Sequence, residues 1–226
     1  MSQFVVSQEC WNLGLRAGAI LLRDISIGPS PNELRMVIDD EARSVSSRFA
    51  SRAAIRALPE IVCIHDIIRA VGVKPKSHPP STQKLLEFAW KQGTLPAINN
   101  LVDAYNLMSL RTVCSLGAHD VNELTLPVEL RLFRGDETFR PLGSDGEQPV
   151  RRDEFGYVDG ENRVICRLDS LQADFSKVTS ATSDALLIIE TTTIHDEGQL
   201  QEIVAATAAT ICEFCGGEAE TVARPA

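Results

Sequence analysis

The sequence predicts an α+β fold, a mixed or antiparallel sheet flanked by helices, and three observations predict it. Residues 185–193, ALLIIETTT, form an aliphatic run of strand length interrupted by one carboxylate, Glu190. Residues 156–167 place Asp159-Gly160 between two short strand-like runs, the pattern of a hairpin. Elsewhere apolar residues recur at helical spacing: Leu34, Val37, Ile38, Ala42, Val45 and Phe49 in one segment, Leu200, Ile203, Val204, Thr207, Ile211 and Phe214 in another.

In chain order, residues 15–27 are aliphatic and run into Gly-Pro, so the first core strand, or a pair of short ones, falls there. Ser30-Pro31 offers an N-cap followed by Pro at the first helical position, with Glu33 in the first turn, and the helix is expected to reach Arg56. Residues 59–71 give a shorter helix that Gly72 stops; His65 on it reads as a packed or surface histidine. GVKPKSHPPS is a Pro-rich loop, after which Ser81 caps a helix ending at Gly93. A central helix follows over 98–110, then a strand over 128–133 and Gly- and Pro-marked turns to 149. The helix over 197–214 is stopped by Gly216-Gly217, and the residues after it are expected to fray. The expected organisation is one domain over 1–226, with a strand and helices in 1–71 and the main core in 72–217.

Composition narrows the function. A chain of 226 residues with 44% hydrophobic content can bury a sizeable core. No apolar run approaches a membrane span, and MSQFVVSQEC lacks a basic segment before an apolar one, so a cytoplasmic chain without membrane contact is expected. The six cysteines read as reduced thiols, and the lone pair Cys212/Cys215 has no second pair or nearby histidine, so no metal and no cofactor are expected. A net charge of −9 argues against a whole-surface grip on nucleic acid and against DNA as a partner. Arg48, Arg52 and Arg56 recur every four residues and would make one basic stripe on a helix, either a solvated face or a local contact with an RNA end. The sequence sets no oligomeric state.

The central helix is unusual in its polar residues. With about 100° per residue, Asn99, Asp103 and Asn106 fall in one stripe beside the apolar arc of Ile98, Leu101, Val102, Tyr105 and Met108. Short amide and carboxylate side chains are poor helix formers, and leaving one buried and unpaired costs about 1–3 kcal/mol. Two readings stand: Asn99 or Asn100 caps the helix while the others bond backbone, or the seam faces a ligand.

The string GVKPKSHPPS…GTLPAINNLVDAYNLMSL…LGAHDVNEL, with FRPLG, the hairpin ending in VICR and TSDALLIIET, resembles the B3/B4 domain of the bacterial phenylalanyl-tRNA synthetase β subunit, and more closely the free-standing B3/4 proteins. The likeness runs from about Gly72 to Gly217. It implies a B3/4-like fold and a trans-acting editing protein that hydrolyses a mischarged aminoacyl-tRNA, in the synthetase a tyrosyl ester on phenylalanine tRNA; no synthetase activity is implied. By position it implies Asn106 and His119 as catalytic residues, and Asp120 and Glu190, with Asn99, Asn100 and Asp103 of the seam, as substrate-binding. In the synthetase two residues separate the histidine from its acid, whereas His119 and Asp120 are adjacent. EFAW and LDSLQAD also stand where the free-standing relatives carry an Arg pair and a Trp-rich stretch, so the amino acid served is left open.

The residue types suit such chemistry. Ester cleavage needs a positioned water, a place for the developing oxyanion and groups that hold the amino acid; a carboxylate such as Glu190 can read a phenolic hydroxyl. The signatures GxxxxGK[ST], GxGxxG, HExxH and GxSxG are absent. A binding module using the same pocket without hydrolysis is the competing reading.

Overall fold

The computed structural model describes residues 3–222. The chain runs β1 (Phe4–Val6), α1 (Gln8–Asn12), β2 (Leu15–Arg23), α2 (Asn32–Arg48), α3 (Arg52–Arg56), α4 (Pro59–Ala70), α5 (Ser81–Gln92), α6 (Asn100–Thr112), β3 (Ser115–Asp120), β4 (Val128–Leu132), β5 (Phe155–Val158), β6 (Val164–Arg167), β7 (Leu171–Gln172), β8 (Ala185–Thr192), α7 (Glu197–Cys215) and β9 (Glu218–Thr221). The fold is α+β as the sequence predicts. One sheet is mixed, in the order β1-β4-β5-β6-β7 with β1 parallel to β4; the other is antiparallel, in the order β3-β8-β2-β9.

β8 is buried at every position, which explains why it reads as a continuous apolar run rather than an alternation. Leu186 and Ile188 on one face join Leu15 and Ala19 of β2 against Phe4, Leu130, Phe155 and Tyr157 of the mixed sheet. Ala185, Leu187 and Ile189 on the other face pack with Leu34, Ile38, Leu101, Tyr105 and Ile211 of the helices. The antiparallel sheet is thus the middle of three layers, and alternate side chains of β8 look into different cores.

Several boundaries differ from the sequence reading. The long helix stops at Arg48: Phe49 turns extended, and Ser51 caps α3 by accepting from the Ala54 N–H. Ser30 does not cap α2, whose N-cap is Pro31, because the Ser30 hydroxyl donates to Asp103. Pro80, not Ser81, precedes the first turn of α5, while Gly93 closes that helix in the left-handed region at φ +67°. The residues after Gly217 do not fray up to Thr221: β9 pairs with β2 from Ile20 to Arg23, and residues 223–226 lie outside those described. β1, β3, β7 and β9 carried no sequence signal strong enough to be read. No described helix is long and apolar enough to cross a membrane.

Candidate functional site

The polar seam of α6 is a structural staple. Asn99 caps the helix, its side chain accepting from the Val102 N–H at 2.9 Å. Asn100 is buried; its Oδ1 accepts from the Gly28 N–H at 2.9 Å, and its Nδ2 donates to the Ser26 and Phe214 carbonyls at 2.8 and 2.9 Å. One amide therefore ties the segment after β2, α6 and the end of α7 together. Asp103, 1% exposed, accepts from the Ser30 hydroxyl, the Arg35 guanidinium and the Ile98 N–H at 2.6, 3.0 and 3.0 Å. Asn106 is half-buried, with no side-chain hydrogen bond among the described residues. None of these four borders the main hollows of the described residues. Asp120 also has local partners: it accepts from the Asn122 N–H and the Thr182 hydroxyl, closing the turn after β3. Asn100→Ala should cost about 2 kcal/mol, since it removes the side-chain partner of the Gly28 and Leu101 N–H groups and of the Ser26 and Phe214 carbonyls, and urea unfolding would read it directly.

Glu190 and His119, by contrast, line one hollow between the two sheets. In β8 Glu190 lies on the face of Leu186 and Ile188, directly beside Ser115 of β3 and Ala17 of β2. The Tyr157 hydroxyl, from β5 of the other sheet, donates to its Oε2. His119, two residues beyond Gly117 on β3, bonds through Nδ1 to the Ser176 hydroxyl at 3.0 Å. A fourth group was missed in the sequence: Asp169, just after β6, whose Oδ2 accepts from the Ser115 hydroxyl at 2.7 Å and from the Ser81 N–H at 3.2 Å. Leu168 and Asp169 both hold positive φ, +52° and +42°, a conformation non-glycine residues keep only where the surroundings enforce it. No spacing motif marks Asp169; its only sequence trace is an acid two residues past the hairpin.

A hollow of about 40 Å³ lies among Ser115, Gly117, His119, Tyr157, Cys166, Asp169 and Glu190. A second, of about 20 Å³, adjoins it through Ser115 and Glu190 and is lined by Glu60, Thr82 and Thr191. Among the described residues, eight buried side-chain atoms have no hydrogen-bond partner, and four of them, Glu60 Oε2, Thr82 Oγ1, Asp169 Oδ1 and Glu190 Oε1, belong to residues lining these two hollows. Unpaired buried polar atoms are costly, so their collection at one place marks a site rather than packing noise.

Burial sets the electrostatics. It raises Asp169 to about 6, against the Ser115 and Ser81 hydrogen bonds and the Lys84 charge. Burial, then the Asp169 charge, pushes Glu190 well above the usual carboxylate range, opposed by the Tyr157 hydrogen bond. Burial lowers His119 to about 4, which leaves it neutral at pH 7. The site therefore holds a carboxyl that exchanges its proton near neutrality, a neutral imidazole and two carboxyl oxygens, Asp169 Oδ1 and Glu190 Oε1, without a partner. It suits a ligand that donates hydrogen bonds.

A larger hollow, about 470 Å³, lies elsewhere, between β2 and the start of α7, around Trp11, Arg16, His195 and Leu200. His195 bonds Thr191 there and Asp196 caps α7, so its polar groups are occupied by the fold. No group of three or more His, Cys, Asp or Glu side chains among the described residues is placed to hold a metal ion. The arginine stripe is split by the helix break and matched by acids: Arg48 pairs with Glu41 at 3.2 Å, while Arg52 and Arg56 both reach Glu87, at 4.0 and 2.7 Å.

A three-layer α+β chain with buried carboxyls between its sheets defines the class. Residues 64–206, well over half of the chain, match the family model of the B3/4 domain, and the chain belongs to that family. A crystal structure of an N-terminal fragment of the phenylalanyl-tRNA synthetase β subunit from Pyrococcus horikoshii is similar in fold, with a TM-score of 0.50 at 10% identity. The alignment covers 96% of this chain and 50% of that fragment, so the chain spans half of its length. No curated protein matches.

Proposed function

We propose that this chain acts in trans on charged tRNA, binding the 3′ aminoacyl end in the intersheet site and hydrolysing the ester. The observation that supports this most is the set of unpartnered acceptors around Glu190 and Asp169, which ask for a donor such as the α-ammonium of an aminoacyl group. The Asp169 carboxylate, half-ionised near pH 6, is matched to general-base work. Its Oδ1 takes a proton from water as the water oxygen bonds to the ester carbonyl carbon. The tetrahedral oxyanion then collapses, the ribose oxygen leaves with the proton that Asp169 took from water, Asp169 is again ionised, and the free amino acid departs. His119 positions the water as a neutral hydrogen-bonding group, and Glu190 holds the amino acid.

RNA contact falls to different cations from those the spacing picks out. Lys74 and Lys76 on the loop before α5, and Lys84 on α5, are exposed and have no carboxylate partner among the described residues. Their segment also supplies the Ser81 N–H that bonds Asp169, and the Lys84 charge acts on Asp169, so the lysines flank the site. Arg48, Arg52 and Arg56 are left a lesser part.

The test is release of free amino acid from a panel of mischarged tRNAs. Glu190→Gln should slow release by about tenfold or more. Lys74→Glu with Lys76→Glu should weaken binding and reduce the salt slope by about one for each phosphate that is no longer neutralised. Saturable binding of charged tRNA with no release from any member would instead favour a binding module.

A further inference from the structure

Tyr157 lines this hollow beside Glu190. It is 3% exposed, its ring stands 6.0 Å from that of Phe4 between centroids, and its hydroxyl takes one oxygen of Glu190. The remaining hollow is about 40 Å³, whereas a cavity of about 150 Å³ is what accepts a benzene ring. Room for one or two water-sized groups is left, walled by Leu116, Gly117 and Ile188, with Glu190 Oε1 and Asp169 Oδ1 as the free acceptors. The space beside Gly117 is open: a Cβ there would meet nothing within 4 Å, which makes this strand the mouth of the hollow.

We infer that Tyr157 is a specificity-determining residue that limits the site to small aminoacyl groups, of the alanyl or seryl size, and shuts out aromatic ones. This rests on the aminoacyl-end reading above. The Tyr157 phenol supplies internally the hydrogen bond that an incoming tyrosyl group would offer Glu190, so a tyrosyl substrate would gain nothing there and would have to expel a buried ring. A small group needs neither. Its ammonium can bond Glu190 Oε1, which leaves Asp169 Oδ1 to the water, and its short side chain fits against Gly117 and Ile188.

The experiment separates size selection from hydrolysis by using non-cleavable probes, 3′-aminoacylamido-3′-deoxyadenosines carrying alanine, serine or tyrosine, with binding to the full chain measured by calorimetry. The alanyl and seryl probes should bind about tenfold or more tightly than the tyrosyl one, and Tyr157→Ala should remove or reverse that order by opening space for a ring. Tyr157→Phe keeps the volume and should keep the order. Should Tyr157→Ala not fold, Tyr157→Leu makes a smaller opening and should still narrow the gap. Equal binding of tyrosyl and alanyl probes by the native chain, no binding of either, or an order unchanged by truncating Tyr157 would overturn the inference. Size-ordered binding together with inert aminoacyl-tRNA would overturn the hydrolytic reading and leave Tyr157 as the selector.

Discussion

Asp103→Ala destabilises the chain by about 3 kcal/mol, whereas Asn106→Ala, one turn along the same stripe, changes stability by less than about 0.5 kcal/mol. The Asp103 carboxylate is buried and accepts three hydrogen bonds, from the Ser30 hydroxyl, Arg35 and the Ile98 N–H. Removing it leaves the guanidinium, whose side chain is only 21% exposed, beside an empty acceptor position and frees the segment that enters α2. Breaking one half of such a pair costs about 3–5 kcal/mol when both members are buried; the partial exposure of Arg35 puts this case at the lower end. For a chain of this length the melting temperature should drop by about 6–12 °C. Arg35→Met combined with Asp103→Leu should recover much of the loss, because two apolar groups strand no charge. A ligand-facing Asp103 would behave in the opposite way, with stability kept and binding lost, so thermal melts of the two single variants decide between the readings.

The same residue shows where the sequence stops being informative. Its helical stripe is real, and the cost of burying short polar groups there is real, but one sequence cannot say whether the compensating donors come from the chain or from a ligand. Here Ser30, Arg35, Gly28, Ser26 and Phe214 supply partners from 60 or more residues away. β8 and its carboxylate were legible because a fully buried strand tolerates Glu190 only with a reason, and the alternation set its face. The hairpin was legible too, although its turn is a longer loop organised by Asp159, which accepts from the backbone N–H groups of Thr125, Glu161 and Arg163. Asp169 and Tyr157 escaped because their positions depend on how two sheets pack, which no local period encodes. β9 escaped for a similar reason: it is four exposed residues that become a strand only because β2 offers an open edge.

Asp169→Asn should stabilise the chain at pH 8 by about 2–3 kcal/mol and give almost no gain at pH 3, below both pKa values, a difference that urea unfolding at the two pH values would reveal. In the folded chain burial raises Asp169 from 3.8 to about 6, so the native state holds the proton more tightly than the unfolded one. The stability from the protonated carboxyl is complete below about 3.8 and is lost as pH rises through 6. At pH 8 the ionised buried carboxylate therefore weighs against folding by about two pH units' worth, at about 1.4 kcal/mol each. His119 has the opposite sign: lowered by burial from 6.5 to about 4, it favours folding above 6.5, and that support is lost as pH falls through 4. The two slopes oppose each other between about pH 4 and 6, with Glu190, itself raised by burial and by the Asp169 charge, adding to the downward one. The amide of Asp169→Asn removes the downward limb, relieves Glu190 and still accepts from the Ser115 hydroxyl and the Ser81 N–H, so stability should climb with pH where the native chain is nearly flat. His119→Gln should tilt the profile the other way. A loss at both pH values for Asp169→Asn would make the carboxylate a structural clasp. A gain at pH 8 with loss of activity means that the fold carries an ionisable group it would be more stable without, which is what a proton-transfer role requires.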